Sequence, residues 1–268
     1  MPSKRRDTPD VLQTMKGAII KIRADYSSQL SSRGLRNAPP GAREFIRAAQ
    51  SALSEVESAI DAAAFGVPAT LNNRRLYPQE REQQAKEALG ELERLVAEQT
   101  TIAQNALGFA KDQLTKQALR PVDRREELTA RADAQMILDR TPADQRDGVM
   151  ARLAQRQDAV GALVSSDWGR DYLSTVTPDT TLADAMHLGV RTAAVDAAAA
   201  QSLDEGRRDA ALHIGVLPVL HGLRDSVMHT GRMVTESLRD DHGLHVNASI
   251  DDAFAGSDSS GPVATLEP

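Results

Sequence analysis

The sequence predicts an all-α protein, an elongated multi-helix bundle with a long central helix and no sheet. Three observations carry that expectation. Apolar residues recur at spacings of three and four in one stretch after another, which is the period of a helix face. No stretch sustains the two-residue alternation of β-branched and aromatic residues that a half-buried strand needs. The run from Pro78 to about Leu119 has no internal proline, so it can form a rod of about 60 Å, 40 residues at ~1.5 Å each.

The elements follow in order. Thr8-Pro9-Asp10 reads as a helix start: a threonine cap, proline at the first helical position and an acid in the first turn. Leu12, Met15, Ile19, Ile22, Tyr26 and Leu30 then form one stripe. Ser31–Gly41 is a loop, and a second helix runs from about Ala42 to Phe65 with Phe45, Ala49, Leu53, Val56 and Ile60 on one face. The first two helices are expected to pair as an antiparallel hairpin. Gly66–Tyr77, with Pro68 and the Arg74-Arg75 pair, reads as the next break.

In the long helix Ala85, Leu89, Leu92, Val96, Gln99, Ala103, Ala106 and Ala110 keep a heptad-like seam. Pro121 ends it, and Asp123 to Glu126 has the form of a capping box. Short helices are expected over the middle section, where Trp168 and Tyr172 anchor a local core. Thr177-Pro178 starts a helix whose Leu182, Met186, Gly189, Ala193, Ala197 and Ala200 form a smooth face of mostly small residues. A last helix, about Asp209–Arg239, is expected to kink at Pro218. The chain thus divides into a basic hairpin (1–65), the long helix (78–120), a short-helix middle section (123–176), C-terminal helices (178–242) and an acidic tail (243–268). The tail is rich in Ser, Asp and Gly and is expected to be disordered.

Composition narrows the chemistry. The chain has 268 residues, no cysteine, and only four Phe, three Tyr and one Trp. Disulfides and cysteine metal sites are excluded. Cores built largely from alanine are thin, so some apolar surface is expected to be satisfied by a partner. No stretch of 18 apolar residues suggests a membrane span. The net charge of −6 hides an asymmetry. Residues 1–50 hold ten Lys/Arg and four Asp/Glu, a balance of +6, which leaves −12 for the rest. A basic head and an acidic tail point to two different contacts, or to one contact between copies.

Catalytic signatures are missing from the sequence: no Gly-rich phosphate loop, dinucleotide fingerprint or nucleophile elbow occurs. His213, His221 and His229 are eight apart, so they step by ~80° around a helix and do not share one ion. His242 and His245 beside Asp240 and Asp241 make at most a weak metal pair. Neither an enzyme activity nor a cofactor is expected. The candidate interaction residues are Lys4, Arg5, Arg6, Lys16, Lys21 and Arg23 of the basic head. The candidate oligomer interfaces are Leu92, Val96, Ala103 and Ala110 on the long helix, and Gly189, Ala193, Ala197 and Ala200 further on.

One segment carries a resemblance. Arg124-Arg125-Glu126-Glu127-Leu128 through Ala132, then Thr141–Arg146, Leu153 and Gln157–Leu163, resemble helical segments of small structural proteins of tailed-bacteriophage virions. The scaffolding and connector-associated proteins of phages resemble the chain as a class, being acidic, cysteine-free and elongated. The resemblance implies a structural or assembly protein that oligomerises and binds other proteins of a larger complex, in a virion or the host cytoplasm. The alternative is a nucleic-acid-associated helical protein using the basic head.

Overall fold

The computed structural model describes residues 8–244. Among them it has ten α-helices, one 3₁₀ turn and no strand. The helices are α1 (Thr8–Ser32), α2 (Pro40–Leu71), α3 (Pro78–Ala118), α4 (Glu127–Asp139), α5 (Arg146–Gln155), α6 (Ala159–Val164), α7 (Asp167–Val176), α8 (Thr180–Gln201), α9 (Glu205–Ile214) and α10 (Leu217–His242). The expected all-α architecture with a long central helix is present, and α3 has 41 residues. Lys4, Arg5 and Arg6, His245 and nearly all of the acidic tail lie outside the described residues.

The first of two cores is built on α2 and α3, which lie antiparallel along their whole length. Phe45 packs against Phe109 with the rings tilted and their centroids 5.5 Å apart, and at the other end Arg81 donates to the Leu71 carbonyl at 3.1 Å. The seam on α3 is buried as expected at Ala85, Leu89, Leu92, Val96, Ala103, Ala106 and Ala110. Gln99 is the exception. It stays half-buried while neighbouring Thr100 goes inside, where its hydroxyl donates to the Val96 carbonyl at 2.6 Å. A buried hydroxyl that bonds its own helix leaves no unpaired polar group, which a buried glutamine amide would risk.

Two expectations about this half are corrected. The main backbone partner of α1 is α10 rather than α2. Thr8 is buried and tied to α10: its hydroxyl donates to Asp241 Oδ2 at 2.5 Å and lies 2.8 Å from the Ser237 hydroxyl. At its far end Arg33 donates to the Leu212 carbonyl at 3.2 Å. α1 and α2 are antiparallel neighbours joined by side chains, with Lys16 Nζ 2.6 Å from Asp61 and Arg23 2.5 Å from Glu57. The second correction is that α2 continues past Phe65, through Gly66 and Pro68, to Leu71. A proline in the last turn costs one backbone bond. Buried Val67, 1% exposed, holds that turn on the core.

α10 lies antiparallel to α3. Arg239 makes a two-pronged pair with Glu93, both contacts 2.8 Å. At Gly231 the approach is closest, and a Cβ there would stand 2.7 Å from a Val96 methyl. The expected single kinked helix from Asp209 is instead two helices, α9 and α10, broken at Gly215-Val216. Pro218 sits in the first turn of α10, where its missing N–H has no helical partner to lose.

The second core gathers α4 to α7 with the first two-thirds of α8, around Leu138, Met150, Leu163, Val164, Leu173 and Val190. Val195 and Ala198 of the same α8 belong to the first core, so the expected division near residue 177 falls inside one packed unit. Trp168 stacks on Tyr172 at 5.5 Å and packs against this core. The capping box expected at Asp123 does not form. Asp123 caps the Arg125 N–H at 2.9 Å and the helix starts only at Glu127. Glu126 turns to Arg120, 3.0 Å away.

A polar joint connects the cores. Gln157 donates to the Ala194 carbonyl at 2.9 Å and accepts from Arg207. Arg207 also donates to the Ala118 carbonyl at the end of α3, at 3.1 Å. Arg120 donates to the Gln157 carbonyl at 3.1 Å. Gln157 holds a φ of 58°, a region that side chains other than glycine, asparagine and aspartate rarely enter.

Candidate interaction surfaces

Four of the interface residues read from the sequence are used up inside the chain. Leu92, Val96, Ala103 and Ala110 are at most 7% exposed and belong to the core shared with α2 and α10. Their small side chains do admit close packing, but the helices that use it are the chain's own. α8 is different. It packs through Ala183, His187, Val190, Ala194 and Ala198, a face rotated by about one residue, ~100°, from the one read in the sequence. Ala197 goes into the core with them, Ala193 is half-buried, and Gly189 and Ala200 are exposed.

The outward side of α8 therefore keeps much of the smooth face. Leu182, Gly189, Ala193 and Ala200 recur along one line at helical spacing. Leu188, 59% exposed, lies about 120° around the helix from that line, and Leu203 lies fully open just beyond the helix end. Asp196 is exposed on the same side. α4 repeats the pattern on a smaller scale. Its Ala130, Ala134 and Leu138 face inward, leaving Leu128, Ala132 and Met136 exposed at four-residue intervals. Single exposed leucines are ordinary on protein surfaces; aligned ones on ordered helices mark interaction sites.

A second surface lies where α1, the end of α2 and the end of α10 meet. The weak backbone pairing of α1 with α2 leaves an open groove of about 770 Å³. α1 contributes Leu12, Lys16, Gly17 and Ile20, α2 contributes Ala64, Phe65 and Pro68, and α10 contributes Leu238, Asp241 and His242. Phe65 and Ile20 are 75% and 66% exposed. This surface is not legible in the sequence, whose pattern ends a helix at Phe65 and places Pro68 in a loop.

The basic head is only partly available. Lys16 and Arg23 pair with Asp61 and Glu57, exposed pairs each worth about 0–1 kcal/mol. Lys21 is exposed.

The Thr8, Ser237 and Asp241 cluster serves as a helix cap, with the hydroxyls and the Thr8 N–H turned to one carboxylate. No group of three or more potential metal ligands occurs among the described residues. Of the histidines, His213 is buried with Nδ1 2.8 Å from the Asp209 carbonyl. His187 is buried between α7 and α8. Burial first, and the Arg191 guanidinium second, push its pKa below the usual histidine value. Its Nε2 meets no hydrogen-bond partner among the described residues.

No described helix is long and apolar enough to cross a membrane. No family model, curated protein or solved structure matches the chain.

Proposed function

We propose that the chain is a non-enzymatic assembly protein that oligomerises and binds other proteins of a larger complex. A component of a phage virion or of capsid assembly is the most concrete version. The observation that carries this reading is the outward face of α8, where Leu182, Leu188 and Leu203 stand exposed beside Gly189 and Ala200 on an ordered helix. Small residues let a second helix backbone approach, and the exposed leucines supply apolar area. The partner proposed for this face is a second copy of the chain. The acidic, cysteine-free composition and the resemblance of residues 124–166, which form α4 to α6, support the virion version.

Light scattering and native mass measurement test it. The intact chain is expected to form oligomers, and Leu182→Glu with Leu188→Glu to lower the mass toward the monomer while circular dichroism stays helical. A strictly monomeric wild type at high concentration overturns the reading. Tight DNA binding that falls steeply with salt and is lost when residues 1–24 are removed replaces it with the nucleic-acid alternative.

A further inference from the structure

The groove between α1, α2 and α10 lies away from the α8 face and has its own logic. It is bounded by α1 from Thr8 to Ile20, about 18 Å at ~1.5 Å per residue, and is one helix wide, about 10 Å. That is about 200 Å² a side, against about 800 Å² for a stable free-standing interface. A surface this small holds a segment well only when the segment is tethered beside it. The chain supplies one. α10 ends on the rim of the groove: Asp241 and His242 line it, Gly243 closes the helix at a φ of 65°, and Leu244 is buried. Residues 245–268 follow at once.

That segment holds nine Ser, Asp and Gly among its 24 residues, and its large apolar residues are Val246, Ile250, Phe254, Val263 and Leu266. Val246, Ile250 and Phe254 recur every fourth residue, with Asp251 and Asp252 between the last two. We propose that residues 246–254 of the same chain occupy the groove, placing their three apolar side chains against Leu12, Ile20 and Phe65. Length fits. Nine residues span about 13 Å as a helix and up to about 30 Å extended, so the segment reaches Phe65 and Ile20 from the rim. The tether sets an effective concentration of about millimolar, so the segment of the same chain outcompetes that of a second copy in dilute solution.

The absence of cysteine makes the test direct. Ile20→Cys with Phe254→Cys is introduced into the full chain and oxidised at low micromolar concentration, as an equal mixture of ¹⁴N- and ¹⁵N-labelled protein. Leu203→Cys with Phe254→Cys is the control. Leu203 precedes α9, at the Ala118 end of α3, whereas α10 ends near Glu93. The two levels are about 37 Å apart along α3. The expected result is an intramolecular disulfide at 20–254 in most of the protein, at least tenfold faster than at 203–254, slowed to the control rate by Val246→Glu with Ile250→Glu. Equal rates in the two pairs overturn the proposal. So does a disulfide joining labelled to unlabelled chains, which assigns the groove to a second copy. An oligomer lost through Leu182→Glu but with no 20–254 bond leaves the α8 reading standing alone. The converse leaves only the groove.

Discussion

The two cores are made differently from one alphabet. The first is built mainly from four helices of 25 to 41 residues, held by long stripes of Ala, Leu, Ile and Val, with α9 and the end of α8 packed on them. Neither α2 nor α3 has a side-chain N-cap hydrogen bond. The second gathers helices as short as six residues. α6, α7 and α8 each start on a side-chain cap, from Asp158, Ser166 and Asp179. Length explains the contrast. A long helix spreads the cost of its first turn over many bonds and a long buried stripe, whereas a one- or two-turn helix spreads it over few. The short helices α6, α7 and α9 start on such caps, whereas α4 and α5 start without one and rely on packing.

The largest effects are expected where the first core is densest. Leu107 is 0% exposed, and Leu107→Ala is expected to destabilise the protein by about 2–5 kcal/mol in a denaturant titration. A loss under 1 kcal/mol would mean that α3 is not held by packing, and the contrast between the cores would fail.

The joint comes next. Gln157→Ala keeps the left-handed backbone and removes the bonds to Ala194 and Arg207, an expected loss of about 1–3 kcal/mol. Gln157→Gly removes the same bonds but relieves the backbone, and is expected to recover about 1 kcal/mol of that loss. If the two cores melt separately in the alanine variant and together in the wild type, the joint is what couples them.

Caps rank third. Asp158 accepts from the Gly161 N–H at 2.9 Å, and Asp158→Ala is expected to cost about 0.5–2 kcal/mol. Tyr77→Ala at the head of α3 is expected to cost less, since the Tyr77 contact is made by its backbone N–H to Glu80 at 3.0 Å. Equal losses in matched titrations would break the rule.

The smallest expected effect is a pH dependence in the second core. Burial holds the His187 pKa low in the folded state, so the unfolded chain, near 6.5 (about the free value), binds the proton more readily. The His187 contribution is fully present above about pH 6.5 and is lost as pH falls through the lower folded value. Melting temperature is expected to fall as pH drops below about 6.5, and His187→Gln to flatten part of that slope. His221 on α10, also held low by burial, supplies a remainder. A slope unchanged in His187→Gln would show that this ring is not the group responsible.

The sequence by itself determined that the protein is helical, where most helices begin and end, and that α3 runs unbroken. These are local properties: a 3.6-residue period, a capping side chain or a proline acts within a turn or two of itself. Even locally a competitor sometimes won, as when Arg120 drew Glu126 out of its capping box or buried Val67 carried α2 through Pro68. Only the tertiary structure decided which stripe meets which. Alanine lies on nearly every side of α8, so several faces were equally plausible in sequence, and Val190 and Val195 settled the orientation by filling space in two cores at once. The groove at Ile20 and Phe65 was illegible for the same reason. It exists because α1 lies chiefly against α10 rather than α2, a choice made by helices more than 180 residues apart in the chain, where no local pattern reaches.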